Sequence, residues 1–215
     1  MTVDAPLTPD AVQALFTRAD GQYLFARWSR PIVPVVFGVD DATIAVTKGA
    51  AEAVVLLADH RMARTDPELG ANLMVFFLRD WDELMATPHL DRLIPDLGPL
   101  VARLQKADAN QYRSFRFDTD GGIKAAFVFT RMDAAMQAAS AETIALSQMV
   151  QTILLWSDTA FLGASPLAML TEGGAPILKP QIAGVIRAAY DPVLPAAATD
   201  PAHALRVSAR MGRLQ

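Results

Sequence analysis

Apolar positions along the chain follow two periods. Ile44, Thr47, Ala51, Val54, Val55 and Ala58 recur at helical spacing, so a helix is predicted from Asp40 or Asp41 to His60. Gly49 inside it either weakens the helix or marks a close contact. Thr8-Pro9-Asp10 reads as a helix start, and Val12, Leu15, Phe16 and Ala19 extend it over residues 8–20, to Asp20-Gly21. Further helices are predicted through Trp81, Leu84 and Met85 after Asp80, over Pro99 to Lys106, from Ser140 to about Ser157, from Pro180 to Ala189, and from Asp200-Pro201 toward Gln215.

Strands have a different signature. Ile32 to Gly38 is rich in β-branched residues, but Pro34 lacks a ladder donor, which places that strand at an edge or a bulge. Asn72 to Leu78 is apolar on both faces and is predicted to be central. Tyr112 to Phe117 alternates, Asp118 to Gly122 is a turn, and Ile123 to Thr130 is again strand-like, which predicts an antiparallel hairpin. Residues 159–179, with Gly173-Gly174, read as loop. The sum is one α+β domain over residues 1–215, about four strands packed with about six helices.

Composition then narrows the classes. Of 215 residues, 52% are apolar and 20% charged, which excludes intrinsic disorder. With no Cys there is no disulfide, thiolate metal site or Cys nucleophile. The formal net charge of −4 argues against a nucleic-acid binder. No apolar run approaches the roughly 18 residues of a membrane span. Met1 to Pro6 lacks the pattern of a secretory signal, so a cytoplasmic location is expected. Fifteen Arg against four Lys, with 38 Ala, fits the codon bias of a GC-rich bacterial genome.

Candidate chemistry is sparse. His60, His89 and His203 have no helical zinc spacing, so surface or capping roles are expected. Asp40-Asp41, Asp80/Asp82/Glu83 and Asp118/Asp120 sit where helices start or a hairpin turns, and capping accounts for them. The Asp118 to Gly122 turn lacks the remaining ligands of a calcium loop. Gly-x-Ser-x-Gly, Ser-x-x-Lys and phosphate-loop sequences are missing, and no cofactor is expected. Tyr23, Phe25 and Trp28 read as core. Arg206, Arg210 and Arg213 share one face of the last helix. That face is either solvated, complementing the helix dipole, or a docking surface for a partner protein.

Several segments together carry a resemblance. They are Arg27-Trp28-x-x-Pro31-Ile32, Ala71 to Phe77, the hairpin strand ending Ala126-Phe127-Val128-Phe129, and Leu178-x-x-x-Ile182 continuing through Arg187-Ala188-Ala189-Tyr190-Asp191-Pro192-x-Leu194. Over residues 25–205 the chain resembles a proteobacterial zincin-like domain family of unknown function, many of whose members are putative lipoproteins. The resemblance implies that Ser147-Gln148-Met149-Val150-Gln151, followed by Asp158, occupies the helix where a true zincin has His-Glu-x-x-His. Ser147 and Gln151 would stand at the ligand places and Gln148 at the base. Neutral Ser and Gln are poor zinc ligands, and Gln cannot act as a carboxylate base. The relatives' lipoprotein signal and its Cys are also lacking.

The expectation is a non-catalytic bacterial protein with a degenerate zincin-like site. It would act through protein–protein or small-ligand contacts, at the Arg206/Arg210/Arg213 face or at apolar loop residues between Thr159 and Lys179. Two alternatives stand beside it. One is a hydrolase using carboxylates, or a metal, drawn from Glu142, Asp158 and a distant His. The other is a structural assembly subunit.

Overall fold

The computed structural model describes residues 7–171 and 174–213. In chain order the elements are α1 (Pro9–Ala14), β1 (Phe25–Ala26), β2 (Pro34–Phe37), α2 (Asp41–Leu57), β3 (Leu73–Leu78), α3 (Glu83–Ala86), α4 (Leu90–Leu93), α5 (Leu97–Lys106), β4 (Gln111–Phe117), β5 (Ile123–Arg131), α6 (Ala134–Gln137), α7 (Ala141–Val150), β6 (Leu167–Met169), β7 (Pro176–Leu178), α8 (Pro180–Ala189), β8 (Ala197–Ala198) and α9 (Ala202–Met211). The chain is a single α+β fold.

The four predicted strands form one mixed sheet in the order β2-β3-β5-β4. β2, β3 and β5 run parallel, and β4 is antiparallel to β5. Pro34 opens β2 at one edge, where its missing donor costs no ladder bond. β3 and β5 are central and apolar on both sides because both sides are covered. Leu73, Val75, Phe77, Ala126 and Val128 join the larger cluster with residues of α2, α7 and α8. Phe76, Leu78, Phe127 and Phe129 join a second cluster with residues of α3, α4 and α5.

β2 turns into α2 at Gly38, where φ is +84° and a side chain's Cβ would sit on the carbonyl oxygen of Phe77. Only glycine fits there. Asp40 then caps α2, its carboxylate accepting from the Thr43 N–H at 2.8 Å. Gly49 is exposed with open space around it, so it marks no close contact.

Other expectations shift. The first helix ends at Ala14, not Asp20, and Thr17 then bridges to Tyr23. The helix expected to reach Ser157 ends at Val150 because the following backbone finds other partners. Leu155 N–H donates to Ala26 C=O at 2.8 Å. Trp28 Nε1 donates to Thr152 C=O, and Trp156 Nε1 donates back to Val150 C=O. Residues 159–179 hold the β6–β7 pair, and β1 pairs with β8. Of the Gly173-Gly174 turn, Gly173 lies outside the described residues. The final helix spans Ala202–Met211; Leu214 and Gln215 lie outside the described residues. Among the described residues, no helix is long and apolar enough to cross a membrane.

Candidate functional site

β4 is the second edge of the sheet, and its outer side is open. Arg131 N–H donates to Asn110 C=O, whereas Ala126 N–H turns the other way, to Asn72 C=O. With the register Tyr112↔Phe129, Arg113↔Val128 and Ser114↔Phe127, these two bonds fix the alternation. Tyr112 and Ser114 exchange bonds with β5. Gln111, Arg113 and Phe115 direct their N–H and C=O groups outward, and no backbone partner occupies them among the described residues. Burial agrees: β4 is half-exposed along its length, while β5 is buried throughout its middle.

The side chains of Gln111, Arg113 and Phe115 lie on the α7 side of the sheet. There, Arg113 Nη2 donates to Gln111 Oε1 at 2.7 Å and to Gln148 Oε1 at 2.6 Å. Gln148 is 2% exposed, and its Nε2 donates to Gln111 Oε1 at 3.1 Å. The three form a closed triangle of one cation and two neutral amides. Among the described residues no carboxylate lies within ion-pair reach of Arg113, and its buried Nε has no partner. Burial pulls the guanidinium down to about 10, so it remains cationic at neutral pH.

The four residues expected at a degenerate site, Ser147, Gln148, Gln151 and Asp158, divide their work, and Asp158 lies beyond the helix. Ser147 and Gln151 are one turn apart, and Gln151 Nε2 donates to Ser147 Oγ at 2.9 Å. Gln148 bonds Arg113, as above. Asp158 receives the Ala19 N–H at 2.9 Å and so ties the end of the N-terminal segment. Gln151 and Asp158 line a common cleft of about 550 Å³ with Arg18, Arg113, Trp156 and Phe161. The same cleft is lined by Gln111, Tyr112, Arg113, Ser114 and Phe115 in succession, residues of both faces of β4. A cleft that meets both parities meets the strand's edge. Trp156 stacks on Phe16 with ring centroids 5.3 Å apart and meets Phe161 edge-on at 5.2 Å. Leu24, Phe117 and Leu155 continue the wall into a second hollow of about 510 Å³ beside β1 and β8.

The other candidates lie elsewhere. Arg210 is paired, its Nε 2.8 Å from Asp191 Oδ2, and Arg206 Nη2 reaches Val193 C=O at 3.4 Å. The arginine face is therefore partly tied to the segment after α8; Arg213 is exposed beyond the helix end. His60 Nε2 donates to Arg30 C=O at 2.9 Å, and His89 is exposed. His203 is neither a surface nor a capping residue: it is 3% exposed, with Nδ1 2.9 Å from Tyr23 Oη. Glu142 lies in the first turn of α7 and Asp158 beyond its other end. Among the described residues no group of three or more His, Asp or Glu is placed to hold a metal ion.

Gln111, Arg113 and Trp156 were not singled out by the sequence. The available signal was Gln111-x-Arg113 on the inward-facing parity of an alternating strand, where two polar residues need a partner. No model of a known protein family matches the chain, and no curated protein or solved structure matches it significantly.

Proposed function

We propose that this is a non-catalytic binding protein whose cleft receives an extended segment of a partner protein, paired along the outer edge of β4. The observation that carries this reading is the edge itself. Three successive outward N–H and C=O pairs, at Gln111, Arg113 and Phe115, border a cleft walled by Trp156, Phe161 and Leu162. An unpaired edge is a template for another strand, and its backbone groups supply affinity while neighbouring pockets select side chains. The non-catalytic part rests on how the helix side chains are used. Ser147, Gln148 and Gln151 are neutral and bonded to one another or to β4, so none is a base or a strong metal ligand. This agrees with the zincin-like resemblance and its substituted helix.

The test is selection of blocked peptides from a random library on the immobilised protein, followed by titration. Trp28 and Trp81 are each 1% exposed, so Trp156 is the tryptophan whose fluorescence reports cleft occupancy. Selected peptides are expected to be extended, proline-poor and recovered intact. N-methylation at alternate peptide nitrogens is expected to abolish binding, and methylation at the intervening ones to be tolerated. Binding indifferent to N-methylation would overturn edge pairing. Cleavage of the selected peptides would overturn the non-catalytic reading.

A further inference from the structure

Arg113 is a cation without a counter-ion. Its two hydrogen-bonded neighbours, Gln111 and Gln148, are neutral carboxamides, and Gln148 is almost fully buried. Its Nε is buried and unpartnered among the described residues. A fixed guanidinium is costly to keep away from water unless an anion meets it, and its planar fork suits a carboxylate. Arg18 lines the same cleft, and no side-chain partner holds it among the described residues. Asp158, the acidic residue of that wall, is engaged by the Ala19 and Ser157 donors. The cleft therefore presents two positive groups beside one carboxylate, whose Oδ1 is held by the protein's own donors.

We propose that Arg113 is the anion anchor of the cleft, and that the segment bound along β4 carries an Asp or Glu whose carboxylate meets the guanidinium where it lines the cleft. The inference rests on the edge-pairing reading above and names the chemistry of its ligand. An extended acidic segment satisfies both features at once. Its backbone meets the outward groups of Gln111, Arg113 and Phe115, and one acidic side chain on the α7 side meets Arg113. Apolar residues two places from that acidic residue share its side of the strand and lie against Trp156 and Phe161, which the aromatic wall favours.

The peptides selected above provide the probe. Each acidic residue is replaced by its amide, Asp by Asn or Glu by Gln, and the dissociation constants are compared. At one position the exchange is expected to weaken binding roughly 30-fold or more, the loss typical when one partner of a buried charge pair is removed. Arg113→Met should remove that discrimination, but it also deletes two internal hydrogen bonds. Gln111→Glu is the cleaner variant. Both bonds at Gln111 Oε1 are received, from Arg113 and Gln148, so a carboxylate keeps them and supplies the missing charge internally. Gln111→Glu is expected to stay folded and to bind acidic and amide peptides equally. Peptides that bind with no acidic preference would overturn the anion anchor and leave edge pairing standing. A preference that survives Gln111→Glu would place the anion elsewhere. If no peptide is selected at all, the edge reading falls and this inference with it.

Discussion

Two nitrogen bases are held in the interior with different consequences. His203 is 3% exposed and packs its ring 4.2 Å from that of Phe25. Burial, with Arg206 and Arg27 nearby, lowers its pKa to about 4. The folded chain thus keeps His203 neutral where the unfolded chain would take up a proton. The sign follows: its contribution is fully present above about pH 6.5, the ordinary histidine value, and is lost as pH falls toward about 4. Urea melts between pH 7 and pH 4 should show stability falling by up to about 1.4 kcal/mol per pH unit from this group. His203→Gln should remove that part of the slope; an unchanged slope would contradict the assignment. Arg113 stays charged instead, and its neighbours are neutral. Supplying a carboxylate by Gln111→Glu should raise stability by about 1 kcal/mol, the difference between a neutral and a charge-assisted hydrogen bond. A thermal melt would read that as roughly 2–4 °C. Tyr190 is a third case. Its hydroxyl accepts from Trp28 N–H at 3.2 Å and donates to Ile153 C=O at 2.9 Å. Tyr190→Phe strands both buried groups and should cost about 1–3 kcal/mol in a denaturant titration.

At the scale of elements, the junction between β2 and α2 is the most constrained. Gly38→Ala must hold a left-handed φ and also displace the Phe77 carbonyl. The backbone conformation alone costs roughly 1–3 kcal/mol, and Asp40→Ala at the neighbouring cap about 1 kcal/mol; equilibrium unfolding of the two variants checks both. The elements that were legible in the sequence are those whose burial makes a local pattern. β2 to β5 follow from alternation, two-sided apolarity and the position of Pro34, and α2, α5 and α8 from helical periodicity. What stayed hidden depends on partners distant in sequence. α7 stops at Val150 because Ala26 and Trp28 bind the backbone beyond it. β1 and β8 are two residues each and exist through one another. The site was partly legible for the same reason. Ser147, Gln148 and Gln151 could be placed on one helix, but their bonding to Gln111 and Arg113 requires the sheet's order, which no local pattern carries.

At the scale of the molecule, the sheet has two edges with different fates. β2 opens with Pro34, which blunts its edge. β4 offers alternating outward groups from Gln111 to Phe115, ahead of the register shift between Arg116 and Phe117, beside an aromatic-walled cleft. The helix opposite brings no ionisable group to that cleft, and its Gln148 side chain bonds β4. Stability should therefore be indifferent to chelators: melts with and without EDTA should coincide, and a lowered midpoint would point to a metal-dependent site. Pairing of β4 with a partner strand is read at each residue by amide hydrogen exchange. In the free protein Tyr112 and Ser114 should exchange slowly, while Gln111, Arg113 and Phe115 exchange fast. Saturation with a selected peptide should slow Gln111, Arg113 and Phe115. Exchange at these three that is unchanged by a saturating peptide, or already slow without one, would contradict it.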